Sequence, residues 1–339
     1  MPILIMDRGV HIDPSAVRKT FPRVTVRESR NVAEAIERCA DCDVLVAMAH
    51  EVTDELIAHM PRLRYICAMS AGTERLETLN ELKPDVCVTS GRGIHGPQMS
   101  ELAFLSMIAL SREFPRMQRN QQRHAWERWP QKLLWGKTAV LVGIGPIAEE
   151  IALRCAAFGL RVIGVSDART KVLHFEKILP RSRLQEAAAE ADFMVVLVPL
   201  SSQTRHMIDD GVLGAMKQTA ILINLARGPV VDERVLIQRL LDGRIAGAAL
   251  DVFEVEPLPP DSPLWDMPNV IVTPRIGGMS DVYAEQVLPL VIHNLRCFLD
   301  GRLAEMKNIV RGCLPGKMSV WGTSIRSGRL AFCRCILSG

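Results

Sequence analysis

Apolar residues fall in short continuous runs separated by stretches of helical spacing, and the alternation begins at the first residues of the chain. Ile3–Met6, Val24–Val26, Val44–Ala47, Tyr65–Ala68 and Val86–Thr89 read as strands covered on both faces. Between them, Asn31–Cys39 and Thr53–His59 carry helical spacing, with Asn31 and Thr53 placed as N-caps. A second series starts at Thr138, with strands predicted at Ala139–Val142, Val162–Val165, Met194–Val198, Ala220–Asn224, Ala248–Val252 and Val270–Thr273. Repeated strand–helix–strand units predict an α/β protein with parallel sheets. A long helix is expected over Met99–Ala125, its apolar face formed by Leu102, Leu105, Ile108 and Leu110, as a connector packing across two domains. Residues 281–301 predict one more helix, ending at Gly301 and returning the chain to the first domain.

This pattern divides the 339 residues into a small domain built from residues 1–97 and 280–311, with a second domain, 98–279, inserted between them. Residues 312–339 carry Gly, Ser and Arg with little periodicity and are expected to be a poorly ordered extension. The formal charge of +3 is concentrated there, in Lys317, Arg326, Arg329 and Arg334 with no acid, so the body is near neutral and offers no footprint for nucleic acid. No apolar run reaches the length of a membrane span. The N-terminus lacks a basic leader and reads as a first strand, so the nine cysteines are expected to be thiols of a cytoplasmic protein. Cys39 and Cys42 form a C-x-x-C pair without a second pair at zinc spacing, and no metal site is expected.

The strongest chemical signal is Val140-Leu141-Val142-Gly143-Ile144-Gly145-Pro146-Ile147-Ala148, a strand entering G-x-G-x-x-A and then a helix. Gly143 permits the tight turn, Gly145 lets backbone approach a pyrophosphate, and Ala148 allows close helix packing. Pro146 suits the first helical turn, and the helix N-terminus faces the anion. This is a Rossmann dinucleotide fingerprint. The next strand ends at Ser166 and Asp167. An acid there bonds ribose hydroxyls and favours NAD, whereas Ser166, Arg169 and Lys171 can instead cradle the extra phosphate of NADP.

Three later blocks follow in order: Ile223-Asn224-Leu225-Ala226-Arg227-Gly228-Pro229, Ala249-Leu250-Asp251-Val252-Phe253-Glu254-Val255-Glu256-Pro257, and Val272-Thr273-Pro274-Arg275-Ile276-Gly277-Gly278. With the glycine loop, with Val198-Pro199-Leu200-Ser201 and Thr204, and with Ser70-Ala71-Gly72-Thr73, they resemble the D-isomer-specific 2-hydroxyacid dehydrogenase family over about residues 1–311. The resemblance implies a flavodoxin-like substrate domain, an NAD(P) cofactor, a small 2-hydroxy or 2-keto acid substrate and a homodimer. It implies that Arg227 forks onto the substrate carboxylate and keto oxygen, that amides at Ala71 and Gly72 hold the same carboxylate, and that Asp251 bonds the nicotinamide carboxamide. Pro146 and Ile147 would line the pyrophosphate, Pro199 and Thr204 the cofactor side, and Leu225 and Ala226 the nicotinamide. Glu256 would tune the acid–base residue.

That acid–base residue is where the chain departs from the family. The family places a histidine after Thr-Pro; here Arg275 stands in its place. A guanidinium stays protonated at working pH and is a poor proton donor or acceptor, though Arg275 can polarise a carbonyl or pair with Glu256. His50 and His95, both at strand exits, are the substitutes to consider; His293, mid-helix, is structural by position. Two readings follow. One is an active dehydrogenase or reductase with water-mediated proton supply; the other is a catalytically impaired relative that binds dinucleotide for sensing or assembly.

Overall fold

The computed structural model describes residues 1–312. Strands are β1 (Ile3–Met6), β2 (Val26–Ser29), β3 (Val44–Ala47), β4 (Tyr65–Ala68), β5 (Cys87–Thr89), β6 (Thr138–Val142), β7 (Arg161–Val165), β8 (Lys177–Leu179), β9 (Phe193–Val196), β10 (Ile221–Asn224), β11 (Gly247–Leu250), β12 (Val270–Val272) and β13 (Ile309–Arg311). They form two sheets, and the described residues divide into two compact units: Met1–Gly91 with residues 287–312, and Arg92–Gln286.

The first sheet runs β2-β1-β3-β4-β5, all parallel, with β13 antiparallel on the β5 edge. The order 2-1-3-4-5 is the flavodoxin-like one. Its inner strands are buried on both faces; β1, β3 and β4 are no more than 2 % exposed at any position, while the edge strands β2 and β13 are only partly buried. Asn31 accepts the N–H of Glu34 at 2.9 Å and Thr53 that of Leu56 at 3.2 Å, so each caps its helix as expected.

The second sheet runs β8-β7-β6-β9-β10-β11-β12, parallel throughout. Counted from β6, this is the Rossmann order 3-2-1-4-5-6 with one further strand. The order reverses between β6 and β9, so the turn after β6 opens at the switch point where ligands of such sheets bind.

Two expected elements are corrected: β2 is Val26–Ser29 rather than Val24–Val26, an edge strand whose polar, half-exposed residues gave no apolar run, and the long helix is broken. The helix expected over Met99–Ala125 is two helices, Gly96–Ser111 and Phe114–Gln122, both within the unit Arg92–Gln286. Pro115 is the reason: it has no N–H to donate and its ring clashes with the carbonyl four residues back. The chain breaks at Glu113, in the left-handed region at φ 54°. Cys39, Cys42, Cys67, Cys155 and Cys297 are buried free thiols. Cys87 is disulfide-bonded, against the expectation of thiols throughout, because composition and the lack of a leader do not decide the state of an individual cysteine. The expected extension lies outside the described residues from position 313.

Candidate functional site

The turn after β6 is shaped by two glycines with different duties. Gly143 sits at φ +97°, and a Cβ there would lie 2.8 Å from Val198 Cγ1 and 3.0 Å from Val198 N. Only glycine tolerates both the conformation and the approach. Gly145 has ordinary extended backbone (φ −127°, ψ −172°), and nothing lies within 4 Å of where its Cβ would be. Its glycine is not required by the fold; a side chain would instead fill the space in front of the helix Pro146–Ala157. That helix begins without a side-chain cap, so its first-turn N–H groups face this space with the positive end of the helix dipole. Ala148 is fully buried in the core with Leu141 and Ile151, and Ile147 packs at its edge. The site fits a diphosphate.

Beyond β7, Ser166 Oγ accepts the N–H groups of Ala168 and Arg169, both at 3.2 Å, and so shapes the turn. Asp167 accepts the backbone N–H of Arg181 at 2.8 Å and pairs with its guanidinium. The Arg181 amide and side chain together hold the Asp167 carboxyl below its usual range. Arg169 pairs with Glu149. Asp167, Arg181, Arg183, Gln203 and Met207 line a surface cavity of about 800 Å³. Pro199 is exposed, but Thr204 is 5 % exposed: its hydroxyl donates to Pro199 O at 2.7 Å and accepts the Ser201 N–H at 2.7 Å. Thr204 therefore pins the loop after β9.

Two strands from β6 in the same sheet, Leu225 and Ala226 are buried in the turn that follows β10. Asn224 locks this turn, its side chain bonding Ala226 N–H at 3.1 Å and Arg227 O at 3.2 Å. Arg227 is half-buried and donates to Ala226 O at 2.7 Å. Gly228 lies so close to the next crossover that a Cβ would fall 1.8 Å from Phe253 O. Phe253 N–H in turn donates to Glu256 Oε1 at 3.1 Å, and Glu256 Oε2 holds the Arg275 guanidinium. The turn that carries Arg227 thus packs, through Gly228, on the segment whose Glu256 holds Arg275.

Arg275 occupies the left-handed region at φ +56°, its N–H bonded to Thr273 O at 2.9 Å. The loop is held there by Asp251, 4 % exposed, which accepts from Thr273 Oγ1 (2.7 Å), Ile276 N (2.9 Å) and Gly277 N (3.0 Å). Burial pushes the Asp251 carboxyl up despite these donors. Asp251 is therefore engaged first with the loop that presents Arg275, a duty its place in the sequence did not reveal.

The histidines separate clearly. His50 is exposed on a short 3-10 turn, and His293 bonds Glu305 O at 3.0 Å. His95 is 8 % exposed, with Nε2 3.1 Å from Tyr283 Oη, its ring packed against Gly278 and its buried Nδ1 without a partner. Burial lowers its pKa to about 4, so it is neutral at working pH. His206, which sequence reasoning passed over, pairs with Glu254 at 3.0 Å; no motif marked it. In the first unit, Ala71 is exposed, and Ser70 holds its loop by accepting the Ala49 N–H (3.1 Å) and donating to Gly72 O (2.8 Å). Cys39 and Cys42 are fully buried and their thiols are pushed up by burial, the opposite of a reactive pair. Among the described residues no cluster of three or more metal-ligating side chains occurs, and no helix is long and apolar enough to cross a membrane.

Residues 104–277 match the family model described as D-isomer specific 2-hydroxyacid dehydrogenase, NAD binding domain. A glyoxylate reductase of Korarchaeum cryptofilum is 34% identical over 79% of this chain and 83% of its own length. One of Pyrococcus furiosus is 34% identical over 83% and 87%. Among solved structures, a D-isomer specific 2-hydroxyacid dehydrogenase family protein from Aeromonas salmonicida superposes with a TM-score of 0.85 at 28% identity, covering 92% of this chain and 99% of the other. An NADPH-dependent glyoxylate/hydroxypyruvate reductase from Sinorhizobium meliloti, in complex with NADP and sulfate, gives 0.77 at 27% identity, covering 91% and 98%.

Proposed function

Because the chain belongs to the D-isomer-specific 2-hydroxyacid dehydrogenase family, we propose that it reduces a small 2-keto acid of the glyoxylate or hydroxypyruvate type. Membership sets the reaction class: hydride passes between NAD(P) and a 2-hydroxy or 2-keto acid. The nicotinamide supplies or takes the hydride. Gly143, Gly145, Pro146 and Ile147 receive the pyrophosphate, Ser166 and Asp167 meet the adenosine ribose, and Leu225 and Ala226 floor the nicotinamide end. Asp251 serves that end through the loop it clamps. Arg227 forks onto the carboxylate and keto oxygen, and the Ala71 and Gly72 amides are assigned to the same carboxylate. Residues 92–286 are read as the cofactor unit. The working form is a homodimer in the cytoplasm.

The observation that supports the assignment is the Glu256–Arg275 pair, anchored through Phe253 against the turn that carries Arg227. Arg275 holds and polarises the reacting oxygen as the negative charge develops. It does not surrender its own proton, so water supplies the one taken up by the product. The same residue favours a second reading, a dinucleotide-binding relative with little turnover, since a positioned acid–base group is worth about 10²–10⁴-fold.

Turnover of NADH and NADPH with glyoxylate, hydroxypyruvate and pyruvate decides between them. Activity above the uncatalysed rate, raised about 10²-fold or more by Arg275→His, supports the reductase. Cofactor binding without turnover, restored by Arg275→His, supports the impaired relative. Turnover that Arg275→His leaves unchanged removes Arg275 from the site.

A further inference from the structure

Arg275 is more than the loss of a histidine. Its guanidinium meets Glu256 through one nitrogen, its side chain is 50% exposed, and no other side-chain bond to it is found among the described residues. Its backbone is fixed at φ +56° by the Thr273 carbonyl and the Asp251 clamp, so the base of the side chain has little freedom. Glu256 spends its other oxygen on Phe253 N–H. The carboxylate therefore steers Arg275 while leaving an edge of the guanidinium open.

Where an imidazole is mostly neutral above its pKa, a guanidinium is a permanent charge. Exchanging one for the other adds a fixed positive charge at the position held by Glu256. The open edge is also a planar fork of N–H donors, the shape that matches a carboxylate or phosphate in two-point contact. A 2-keto monoacid has one anionic group, which Arg227 suffices to hold. The second fork is left for a second anion.

We propose that this site selects 2-keto acids bearing a second anionic group, a carboxylate or a phosphate near the keto carbon, with Arg227 and Arg275 each taking one end. The inference rests on the reading of Arg227 as the substrate arginine. With a dianion bound, the open edge of Arg275 is taken by the second anionic group, so Arg275 polarises the reacting oxygen only when the substrate is a monoacid.

The test uses the full-length protein with reduced cofactor and compares ketomalonate, oxaloacetate and 3-phosphohydroxypyruvate with glyoxylate and pyruvate at constant ionic strength. The dianions are expected to show KM values about 10–100-fold lower, the worth of one charge-assisted contact. Arg275→His and Arg275→Asn, both residues suited to the left-handed region, are expected to erase that preference; the histidine variant gains kcat on the monoacids at the same time. Binding is read independently of turnover: malonate, but not acetate, raises the melting temperature of the wild type and does so less in either variant. Equal KM and equal thermal shifts for dianions and monoanions overturn the proposal, as does a preference that survives Arg275→Asn. Malonate stabilisation lost in Arg275→Asn but accompanied by no turnover supports this inference while refuting the reductase. Turnover confined to monoacids does the reverse.

Discussion

Gly143 and Gly145 differ by two positions and in everything that a side chain would meet. A methyl at Gly143 strikes Val198 and forces a strained φ, so Gly143→Ala costs stability. A side chain at Gly145 meets open space on unstrained backbone. Gly145→Val is therefore expected to melt within a few degrees of the wild type, yet to bind NADH and NADPH more than about tenfold more weakly, because bulk replaces the diphosphate. Cofactor titration by fluorescence checks this, and unchanged affinity removes the anion cup from the turn. His95 gives a different residue-scale expectation. Its pKa falls from 6.5 to about 4 on folding, so between those values the unfolded chain binds a proton that the folded one refuses. Stability is unaffected above about pH 6.5, falls as pH drops through that window, and is lower by about 3 kcal/mol near pH 4. His95→Gln is expected to flatten this dependence in urea unfolding at pH 7 and pH 5; an unchanged slope means another group carries it.

At the scale of elements, the strands legible in the sequence were those buried on both faces, because a parallel sheet between helix layers demands continuous apolar runs. β1, β3 and β4 fall on the expected residues. β8 and β13 were not foreseen: each has three residues, lies at a sheet edge and is only partly buried, so neither apolar continuity nor alternation had room to show. The site divides the same way. Motif spacing marked the glycine turn, while Arg227, Glu256 and Arg275 were implied only by the resemblance of their blocks to a family. It did not reveal that Asp251 and Thr204 direct their oxygens inward, since the donors on Asp251 come from 22 to 26 residues along the chain. The Asp251 clamp predicts how the loop behaves. Asp251→Asn keeps one acceptor oxygen but turns an NH₂ toward an N–H of Ile276 or Gly277. A loss of about 1–3 kcal/mol is expected, with faster amide exchange at Ile276 and Gly277. Stability and exchange equal to the wild type mean that the loop is held by something else.

For the molecule as a whole, the apolar surface of the cofactor unit is the feature still to be accounted for. Leu105 and Ile108 lie three residues apart on the helix Gly96–Ser111 and are 57% and 38% exposed. Phe158, 48% exposed, touches Phe104 of that helix with ring centroids 5.0 Å apart, and Trp135, 75% exposed, lies against Gly159. Leu153, 49% exposed, extends the strip along the helix Pro146–Ala157. Single exposed apolar residues are ordinary, but a contiguous strip marks an interface, and a second copy of the chain is the occupant the proposed homodimer requires. A stable dimer of standard size removes about 1,200–2,000 Å² from water, with large apolar side chains such as these at its centre. Leu105→Glu and Leu153→Glu each place a charge on this strip without touching the core. Light scattering is expected to give a dimer for the wild type and a monomer for the double variant, with far-UV circular dichroism unchanged. A wild-type monomer, or a double variant that remains dimeric, excludes this face as the contact.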